Sequence, residues 1–258
     1  MKCPPTTPKR CQLLLKEWRE NLDMTNLEKA KHADSLKILD QHLERLKRKH
    51  LRISVFGRVG VGKSSLINAL LRSPILKTDV AHGCTRCSKG VTWNEKVNNI
   101  NHIELIDTPG LDEVNKESRE DLTNHVIFSS DFVIYVLDSD LTSIELETIK
   151  RLLKIGKPIL IVLNRIDQWN KGEVNELIDS IRQRLPDFPQ NLKIEIAASS
   201  PRKVCLLKDG RVRSQKSSPQ VERVRASLKE LLANNGELFL ALNALKQADH
   251  FYNCLTID

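Results

Sequence analysis

Residues 57–64 read Gly57-Arg58-Val59-Gly60-Val61-Gly62-Lys63-Ser64 and fit the pattern G-x-x-x-x-G-K-[ST]. The glycines let the backbone curl so that successive N–H groups point at phosphate oxygens. The apolar run Ile53–Phe56 precedes this stretch, and a helical stretch follows it with its positive end toward the same anion. Lys63 would bridge two phosphates, and the Ser64 hydroxyl is a hard oxygen ligand for Mg²⁺. Strand, loop and helix in this order predict a phosphate-binding loop.

Short apolar runs alternate with helical stretches from residue 51 to about residue 200. Continuous apolar strands separated by helices predict an α/β fold in three layers, with a mainly parallel sheet covered on both faces. The predicted strands are Ile53–Phe56, Ile103–Ile106, Phe132–Leu137, Ile159–Leu163 and Ile194–Ala197, and the predicted helices are Ser64–Leu71, Ser143–Ile155 and Glu173–Leu185.

Three further motifs follow predicted strands and indicate GTP. In Asp107-Thr108-Pro109-Gly110, Asp107 would hold Mg²⁺ through water and the Gly110 N–H would reach the γ-phosphate, at the start of a switch segment. In Asn164-Arg165-Ile166-Asp167, the Asp167 carboxylate would accept two hydrogen bonds from guanine that adenine cannot offer. The Arg165 stem would lie over the base. In Ala197-Ala198-Ser199, a weaker signal, a backbone N–H would bind guanine O6.

In order and spacing these motifs resemble those of translation-factor-class GTPases of the Era-like branch. Asp-Thr-Pro-Gly and the segment Gly83-Cys84-Thr85-Arg86, which is similar to G-T-T-R, support the resemblance over about residues 51–200. The resemblance implies a P-loop GTPase domain that hydrolyses GTP to GDP with Mg²⁺ as a molecular switch. It makes Ser64, Thr85 and Asp107 the metal ligands, and Lys63, Thr85 and Gly110 the catalytic residues. The predicted nucleotide contacts are Gly57, Arg58, Val59, Gly60, Val61, Gly62, Lys63, Ser64, Ser65, Thr85, Asp107, Gly110, Asn164, Arg165, Asp167, Ala198 and Ser199.

The stretch Val136–Thr142 and an Asp-Gly signal at Asp209-Gly210 resemble a group of bacterial, particularly cyanobacterial, GTPases of unassigned role. Members of that group usually continue into an apolar, membrane-associated C-terminal domain. The 258 residues leave no room for such a domain, so we expect this chain to lack one.

Three positions depart from the common pattern. Leu111 stands where many small GTPases have a Gln that orients the attacking water, so we expect slow intrinsic hydrolysis or help from elsewhere. Gly60 stands where some relatives hold potassium with an Asn, so we expect no marked potassium dependence. Arg58 and Arg86 are cations near the predicted phosphate site, and either could offset negative charge in the transition state. Alternatively, Arg58 is a solvated loop residue and Arg86 is a switch residue that pairs elsewhere. One hypothesis is a homodimer across the nucleotide face, with Arg86 on the partner's γ-phosphate.

Composition excludes several classes of protein. Hydrophobic residues make up 40% of the chain, enough for a sizeable core. No apolar run approaches the roughly 18 to 20 residues of a membrane span, and no secretory signal is seen. We therefore expect a cytoplasmic protein, with peripheral membrane attachment as an alternative, and six reduced cysteines. The Cys84-x-x-Cys87 pair is either coincidental or a structural or redox element.

The net charge of +8 is concentrated in the flanks of the chain. Residues 1–50 contain twelve Lys/Arg against seven Asp/Glu, and residues 201–229 contain nine against two. The second segment predicts a surface for RNA, the ribosome or an anionic membrane, or alternatively a solvated hairpin and helix face.

The sequence predicts five segments: a flexible tail (1–10), an N-terminal helical segment (11–50), the GTPase core (51–200), a hairpin with the last core helix (201–235) and a C-terminal helix (236–258). Leu36, Leu39, Leu43 and Leu46 share one helical face, as do Leu238, Leu242 and Leu245. The two terminal helical segments could pack together as a collar that signals the nucleotide state to an unknown protein effector. Alternatives to the hydrolysing switch are a GTP-dependent interaction module with negligible hydrolysis and a ribosome- or RNA-associated GTPase.

Overall fold

The computed structural model describes residues 7–77, 88–111, 116–185, 192–206 and 212–256. The strands in these ranges are β1 His50–Phe56, β2 Lys89–Thr92, β3 His102–Asp107, β4 Phe132–Leu137, β5 Ile159–Leu163, β6 Ile194–Ile196, β7 Arg202–Leu206 and β8 Val212–Lys216. The α-helices are α1 Thr7–Glu20, α2 Asn26–Lys31, α3 Ala33–Arg48, α4 Lys63–Leu71, α5 Lys116–Ser129, α6 Ser143–Lys154, α7 Lys171–Arg184 and α8 Glu222–Thr256.

Six strands form one sheet in the order β2-β3-β1-β4-β5-β6. Strand β2 runs antiparallel to β3, and the other neighbours are parallel. Every residue of β4 is buried, and its side chains alternate between two apolar clusters, Phe132, Ile134 and Val136 in one and Val133, Tyr135 and Leu137 in the other. The sheet is therefore covered on both faces, as the continuous apolar runs predict, and the three-layer α/β fold is confirmed.

Parallel pairing decides where a site can form. The carboxyl ends of β1, β3, β4 and β5 point to the same edge of the sheet, where ligands bind in open α/β folds. The loops that carry the predicted motifs follow these strands directly. The pairing therefore brings segments more than 100 residues apart in sequence to one edge.

The terminal helices pack on each other. Helix α8 contacts both α1 and α3 through buried residues that include Leu39, Ala241 and Ala244, and Trp18 meets Phe251 edge to face at 6.5 Å. The leucine face of α3 is buried or half-buried, as its spacing predicts. The leucine face predicted on α8 is the outer one, since Leu238, Leu242 and Leu245 are 37%, 38% and 48% exposed. Alanines serve the inner face because they permit close helix approach.

Two predicted boundaries differ from the structure. Helix α1 begins at Thr7, inside the predicted tail, because Pro8 is tolerated in a first turn where its missing N–H has no partner to lose. Helix α8 is continuous across the predicted break at residues 235 and 236. Gly236 lies within it against Ile100, where an added Cβ would come within 2.9 Å of Ile100 Cδ1. The glycine there permits close packing and does not end the helix.

A buried polar junction joins α8 to the amino ends of β4 and β5. Lys157 is 3% exposed and donates to the Ser130 carbonyl (2.6 Å) and to Asn243 Oδ1 (3.1 Å). The Asn243 amide in turn donates to Asp131 Oδ1 at 2.8 Å, and Arg45 of α3 pairs with Asp131 at 3.2 Å. Burial lowers the pKa of Lys157 to about 7. The collar helices are thus tied to the core by buried hydrogen bonds as well as by apolar contact.

Strands β7 and β8 form a separate two-stranded antiparallel sheet, with Arg202 opposite Lys216. The Asp209-Gly210 signal predicts such a hairpin, and its turn lies outside the described residues. Within the part of the chain that the structure describes, none of the helices combines the length and apolar character required to cross a membrane.

Candidate nucleotide site

The loop between β1 and α4 adopts a backbone that requires glycine at two positions. Gly57 has φ +146°, and a Cβ there would lie 2.4 Å from the Val136 carbonyl oxygen. Gly62 has φ +93°, and a Cβ there would lie 2.5 Å from the Asn164 side-chain nitrogen. Larger residues at these positions would open the loop. The curled backbone predicted for a phosphate cradle is therefore present.

Lys63 curls back over this loop and is 7% exposed. Its ammonium donates to the carbonyl oxygens of Gly57 (3.1 Å) and Arg58 (2.7 Å). These contacts hold the positive charge over the loop at the N-terminus of α4. The ammonium can exchange carbonyl oxygens for phosphate oxygens at the same place.

Two of the three predicted metal ligands meet at the edge of the sheet. The Ser64 hydroxyl, in the first turn of α4, donates to Asp107 Oδ2 at 2.5 Å, and Asp107 at the end of β3 is 2% exposed. One hydroxyl and one carboxylate suit Mg²⁺, which usually takes few protein ligands and keeps waters and substrate phosphates. The residues present therefore fit this ion. The third predicted ligand, Thr85, lies outside the described residues, as do Arg86 and the Cys84–Cys87 pair.

The segment after Asp107 lies directly on the phosphate loop. The Thr108 hydroxyl donates to the Val55 carbonyl at 2.8 Å, and a Cβ on Gly110 would lie 2.7 Å from the Val59 backbone nitrogen. Gly110 is thus placed at the loop, as its predicted role requires. Leu111 is fully buried in an apolar cluster, so its side chain is a core residue and cannot orient a water molecule.

Asn164 ties the phosphate loop to the last motif. Its amide donates to the Val61 carbonyl (2.8 Å), while its oxygen accepts from the Ser199 N–H (3.0 Å) and the Ser199 hydroxyl (2.7 Å). Asn164 is 1% exposed. We predicted Asn164 as a nucleotide contact, and the structure gives its side chain a connecting role between two loops.

The two charged residues of the same motif have different environments. Asp167 is exposed, and its Oδ2 accepts from the Arg202 N–H at 3.4 Å. Arg165 has φ +61°, and its guanidinium pairs with Asp138 at 3.3 Å and donates to the Gly60 carbonyl. Arg165 thus links the predicted base site to the phosphate loop, and Asp167 stays accessible to a ligand.

Arg58 is neither a solvated residue nor a side chain poised over the phosphate loop. Its guanidinium donates to Glu145 at 2.8 Å and to Asp138 at 3.1 Å, and the Glu145 side chain is fully buried. The prediction that treated Arg58 as solvated is wrong, because two carboxylates from the loop after β4 and from α6 neutralise it. Sequence reasoning missed Glu145, although the pattern Thr142-x-x-Glu145 is a capping box that marks it as a fixed residue.

The N–H groups predicted for guanine O6 are engaged within the protein. Ala197 donates to the Leu163 carbonyl, Ala198 to the Gln220 carbonyl and Ser199 to Asn164. Ser200 comes next and is exposed, and the described residues accept no hydrogen bond from its N–H. The Ala198 and Ser199 N–H groups thus already have acceptors within the protein, and the guanine contacts predicted through these residues stay predictions.

Comparisons with known proteins agree with this geometry. Residues 52–165 match the family described as 50S ribosome-binding GTPase. GTPase Der of Rickettsia felis is 35% identical over 137 residues, which cover 50% of this chain and 30% of that protein. GTPase Der of Rickettsia bellii is 36% identical over 132 residues, with 48% and 28% covered. The chain thus matches about three tenths of the length of these curated relatives.

Two solved structures share the fold. Aquifex aeolicus Era bound to GDP.AlF4- has a TM-score of 0.50 at 24% identity, covering 58% of this chain and 51% of that chain. The LeoA bacterial dynamin GTPase from ETEC has a TM-score of 0.55 at 18% identity, covering 97% and 47%. Both are less than 25% identical to this chain, so the likeness shows a shared fold.

Proposed function

We propose that the protein binds GTP with Mg²⁺, hydrolyses it slowly to GDP and phosphate, and acts as a molecular switch. The observation that carries the proposal is the bonding of Asn164, which joins the phosphate loop to the loop after β6. This bonding supports a single nucleotide site in which the phosphate and base motifs act together at one edge of the sheet. The match to GTPases by family and by curated relatives supports the same activity.

The chain's own residues suggest how the nucleotide is held. The Lys63 ammonium would leave the Gly57 and Arg58 carbonyls for the β- and γ-phosphate oxygens. The exposed Asp167 carboxylate would accept from the N1–H and N2 amine of guanine, and the Ser200 N–H would donate to O6. Arg165 would cover the base with its stem while its head stays on Asp138 and Gly60.

Mg²⁺ held by Ser64, Asp107 and, in our proposal, Thr85 would supply positive charge to the β- and γ-phosphates. Water would attack the γ-phosphorus in line with the leaving oxygen. Gly110 would donate its N–H to the γ-phosphate. The buried Leu111 offers nothing to the attacking water, so we propose a slow intrinsic rate.

A second candidate is a GTP-dependent interaction module with negligible hydrolysis. The engagement of Arg58 by Glu145 and Asp138 favours it, because that guanidinium is then committed away from the transition-state charge. A nucleotide-face dimer that supplies Arg86 would restore a cation and return the protein to the first candidate.

Partners and location extend the proposal. The family description supports association with the ribosome. RNA is a further candidate partner, and an effector protein would read the switch state. We propose a cytoplasmic location, with peripheral attachment to an anionic membrane surface as the alternative.

Guanine selection is tested by substituting Asp167. Fluorescent GDP and ADP analogues are titrated against the wild type, Asp167→Asn and the matched control Asp179→Asn, an exposed carboxylate on α7. We expect GDP to bind at least 100-fold more tightly than ADP, since unpairing a carboxylate costs about 3 kcal/mol. Asp167→Asn should lose GDP and gain xanthosine diphosphate, because its amide can donate to the C2 carbonyl. Equal binding of GDP and ADP by the wild type would contradict the assignment.

A further inference from the structure

Asp138, in the loop after β4, bonds to one arginine from each of two nucleotide motifs. Its Oδ1 accepts from Arg58 Nη2 of the phosphate loop at 3.1 Å, and its Oδ2 pairs with Arg165 Nη1 of the base motif at 3.3 Å. The Asp138 side chain is 19% exposed, so water screens these contacts only in part. One carboxylate is therefore shared by two cations that come from distant parts of the sequence.

The bonds lead back to the phosphate loop. The second nitrogen of the Arg165 fork, Nη2, donates to the Gly60 carbonyl. The series of contacts from Arg58 through Asp138 and Arg165 to Gly60 thus begins and ends in the phosphate loop. These contacts, which we call the Asp138 bridge, hold the loop at two points.

An arginine at position 165 suits this bridge. Its planar guanidinium offers two nitrogens at a fixed spacing, one for the Gly60 carbonyl and one for Asp138. A lysine would offer a single nitrogen on a flexible stem. The fork therefore allows one side chain to bond the phosphate loop and Asp138 at the same time.

The two ends of the Asp138 bridge differ in how firmly they are held. Arg58 also donates to Glu145 at 2.8 Å, and the Glu145 side chain is fully buried. Arg165 is 41% exposed. If the bridge is weakened, we expect Arg165 to separate first, because water can replace its partner whereas Arg58 keeps a buried one.

We propose that Asp138 is a positioning residue that holds the phosphate loop, through Arg165, in the curled shape that a nucleotide requires. Both carboxylate oxygens are engaged by arginines, so Asp138 acts through them. A loop that is ordered before binding loses less free energy to ordering when the ligand arrives. The bridge should therefore strengthen nucleotide binding. This inference rests on the proposed guanine-nucleotide binding.

Replacement of Asp138 by Asn separates the bonding from the shape of the side chain. The carboxylate has an acceptor oxygen for each arginine, whereas the amide has one oxygen and one NH₂ group. In Asp138→Asn one arginine therefore faces another donor and must move. The more exposed Arg165 should be the one that is released.

The test compares Asp138→Asn, Arg165→Met and the double variant with the wild type. The methionine keeps an apolar stem at the base site and removes the guanidinium. The matched control is Asp140→Asn, because Asp140 lies two residues after Asp138 but pairs with Arg184 of α7 at 3.5 Å. The affinity for a fluorescent GDP analogue is measured for each protein. Hydrogen exchange of the nucleotide-free proteins is followed by mass spectrometry in a peptide that covers residues 57–62.

We expect Asp138→Asn to bind the GDP analogue roughly tenfold more weakly, the lower end of what a hydrogen bond between charged groups contributes, since Arg165 is partly exposed. Arg165→Met should weaken binding at least as much. Adding Asp138→Asn to Arg165→Met should change the affinity by less than about twofold, because the two residues act through one bond. The control should match the wild type.

Hydrogen exchange gives the readout that does not depend on nucleotide. Exchange at residues 57–62 should be faster in Asp138→Asn than in the wild type, with exchange in α7 unchanged. Faster exchange in α7 as well would make Asp138 a general structural residue and overturn the proposal.

The affinities distinguish this inference from the proposed function. Unchanged GDP affinity in Asp138→Asn, or effects of the two substitutions that multiply to roughly a hundredfold in the double variant, would overturn the role of Asp138 and leave the proposed function intact. A wild type that binds no guanine nucleotide would remove the proposed function. The exchange at residues 57–62 would then still decide whether Asp138 holds the loop.

Discussion

Replacing Asn164 by Ala tests whether the two halves of the nucleotide site are held together from within. The substitution removes the amide that donates to the Val61 carbonyl and the oxygen that accepts from the Ser199 N–H and hydroxyl. Asn164 and Ser199 are 1% and 4% exposed, so water does not replace these partners without a rearrangement. The hydroxyl can rotate to another acceptor, but the carbonyl and the N–H cannot.

The expected cost follows from those two orphaned groups. A buried donor or acceptor left without a partner costs about 1–3 kcal/mol, so two of them should lower the free energy of unfolding of Asn164→Ala by roughly 2–6 kcal/mol. This is a large share of the 5–15 kcal/mol typical of a domain. The control Asn175→Ala lies on the exposed side of α7 and should cost less than about 0.5 kcal/mol.

Urea denaturation without nucleotide measures the stability, and a fluorescent GDP analogue measures affinity. We expect Asn164→Ala to be less stable and to bind the GDP analogue more weakly, because the side chain no longer joins the phosphate loop to the loop after β6. Ser199→Ala removes one of the three bonds and should have a smaller effect. Unchanged stability with weakened GDP binding would refute the connecting role and make Asn164 a nucleotide contact alone.

Three further predictions concern the rate and the collar. Hydrolysis should proceed equally in sodium and potassium, because Gly60 carries no side-chain ligand; acceleration by potassium alone in a phosphate-release assay would contradict this. Leu111→Gln should not accelerate hydrolysis and should lower the free energy of unfolding by about 2 kcal/mol or more in urea titrations, since it buries an amide in an apolar cluster. The pKa of Lys157 is about 7 in the folded protein, against an ordinary value of 10.5. Between pH 7 and pH 10.5 the unfolded state therefore binds more protons than the folded state, so the free energy of unfolding should rise with pH across this range. The Lys157→Met variant should lack this rise. If the free energy of unfolding changes with pH in the same way in both proteins, the lowered pKa of Lys157 is contradicted.

The buried strands were predictable because each is a continuous apolar run. Strands β4 and β5 begin and end where the sequence predicts, at Phe132–Leu137 and Ile159–Leu163. Strand β2, Lys89–Thr92, was missed because it is an edge strand without a buried side chain. Helix α5 was missed because its first half, from Lys116, is polar and has no apolar period.

The site was predictable to the level of its motifs. Lys63, Ser64 and Asp107 are identified by spacing because the chemistry of phosphate and magnesium requires those residue types. The role of the Ala198 N–H was not predictable, since it depends on a β-bridge to Gln220, which comes 22 residues later. The pairing of Arg58 depends on Glu145, 87 residues away in sequence. Such contacts are set by the fold and leave no local signal.

The measurement that tests the central claim most directly is a single-turnover assay of phosphate release from GTP with Mg²⁺. The wild type should release phosphate slowly but clearly above the buffer rate, and Lys63→Ala should abolish release while Lys171→Ala leaves it unchanged. Lys63 is chosen because its ammonium already lies over the phosphate loop. If the wild type binds GTP but releases no phosphate above the buffer rate, hydrolysis is contradicted and the chain is a GTP-dependent interaction module.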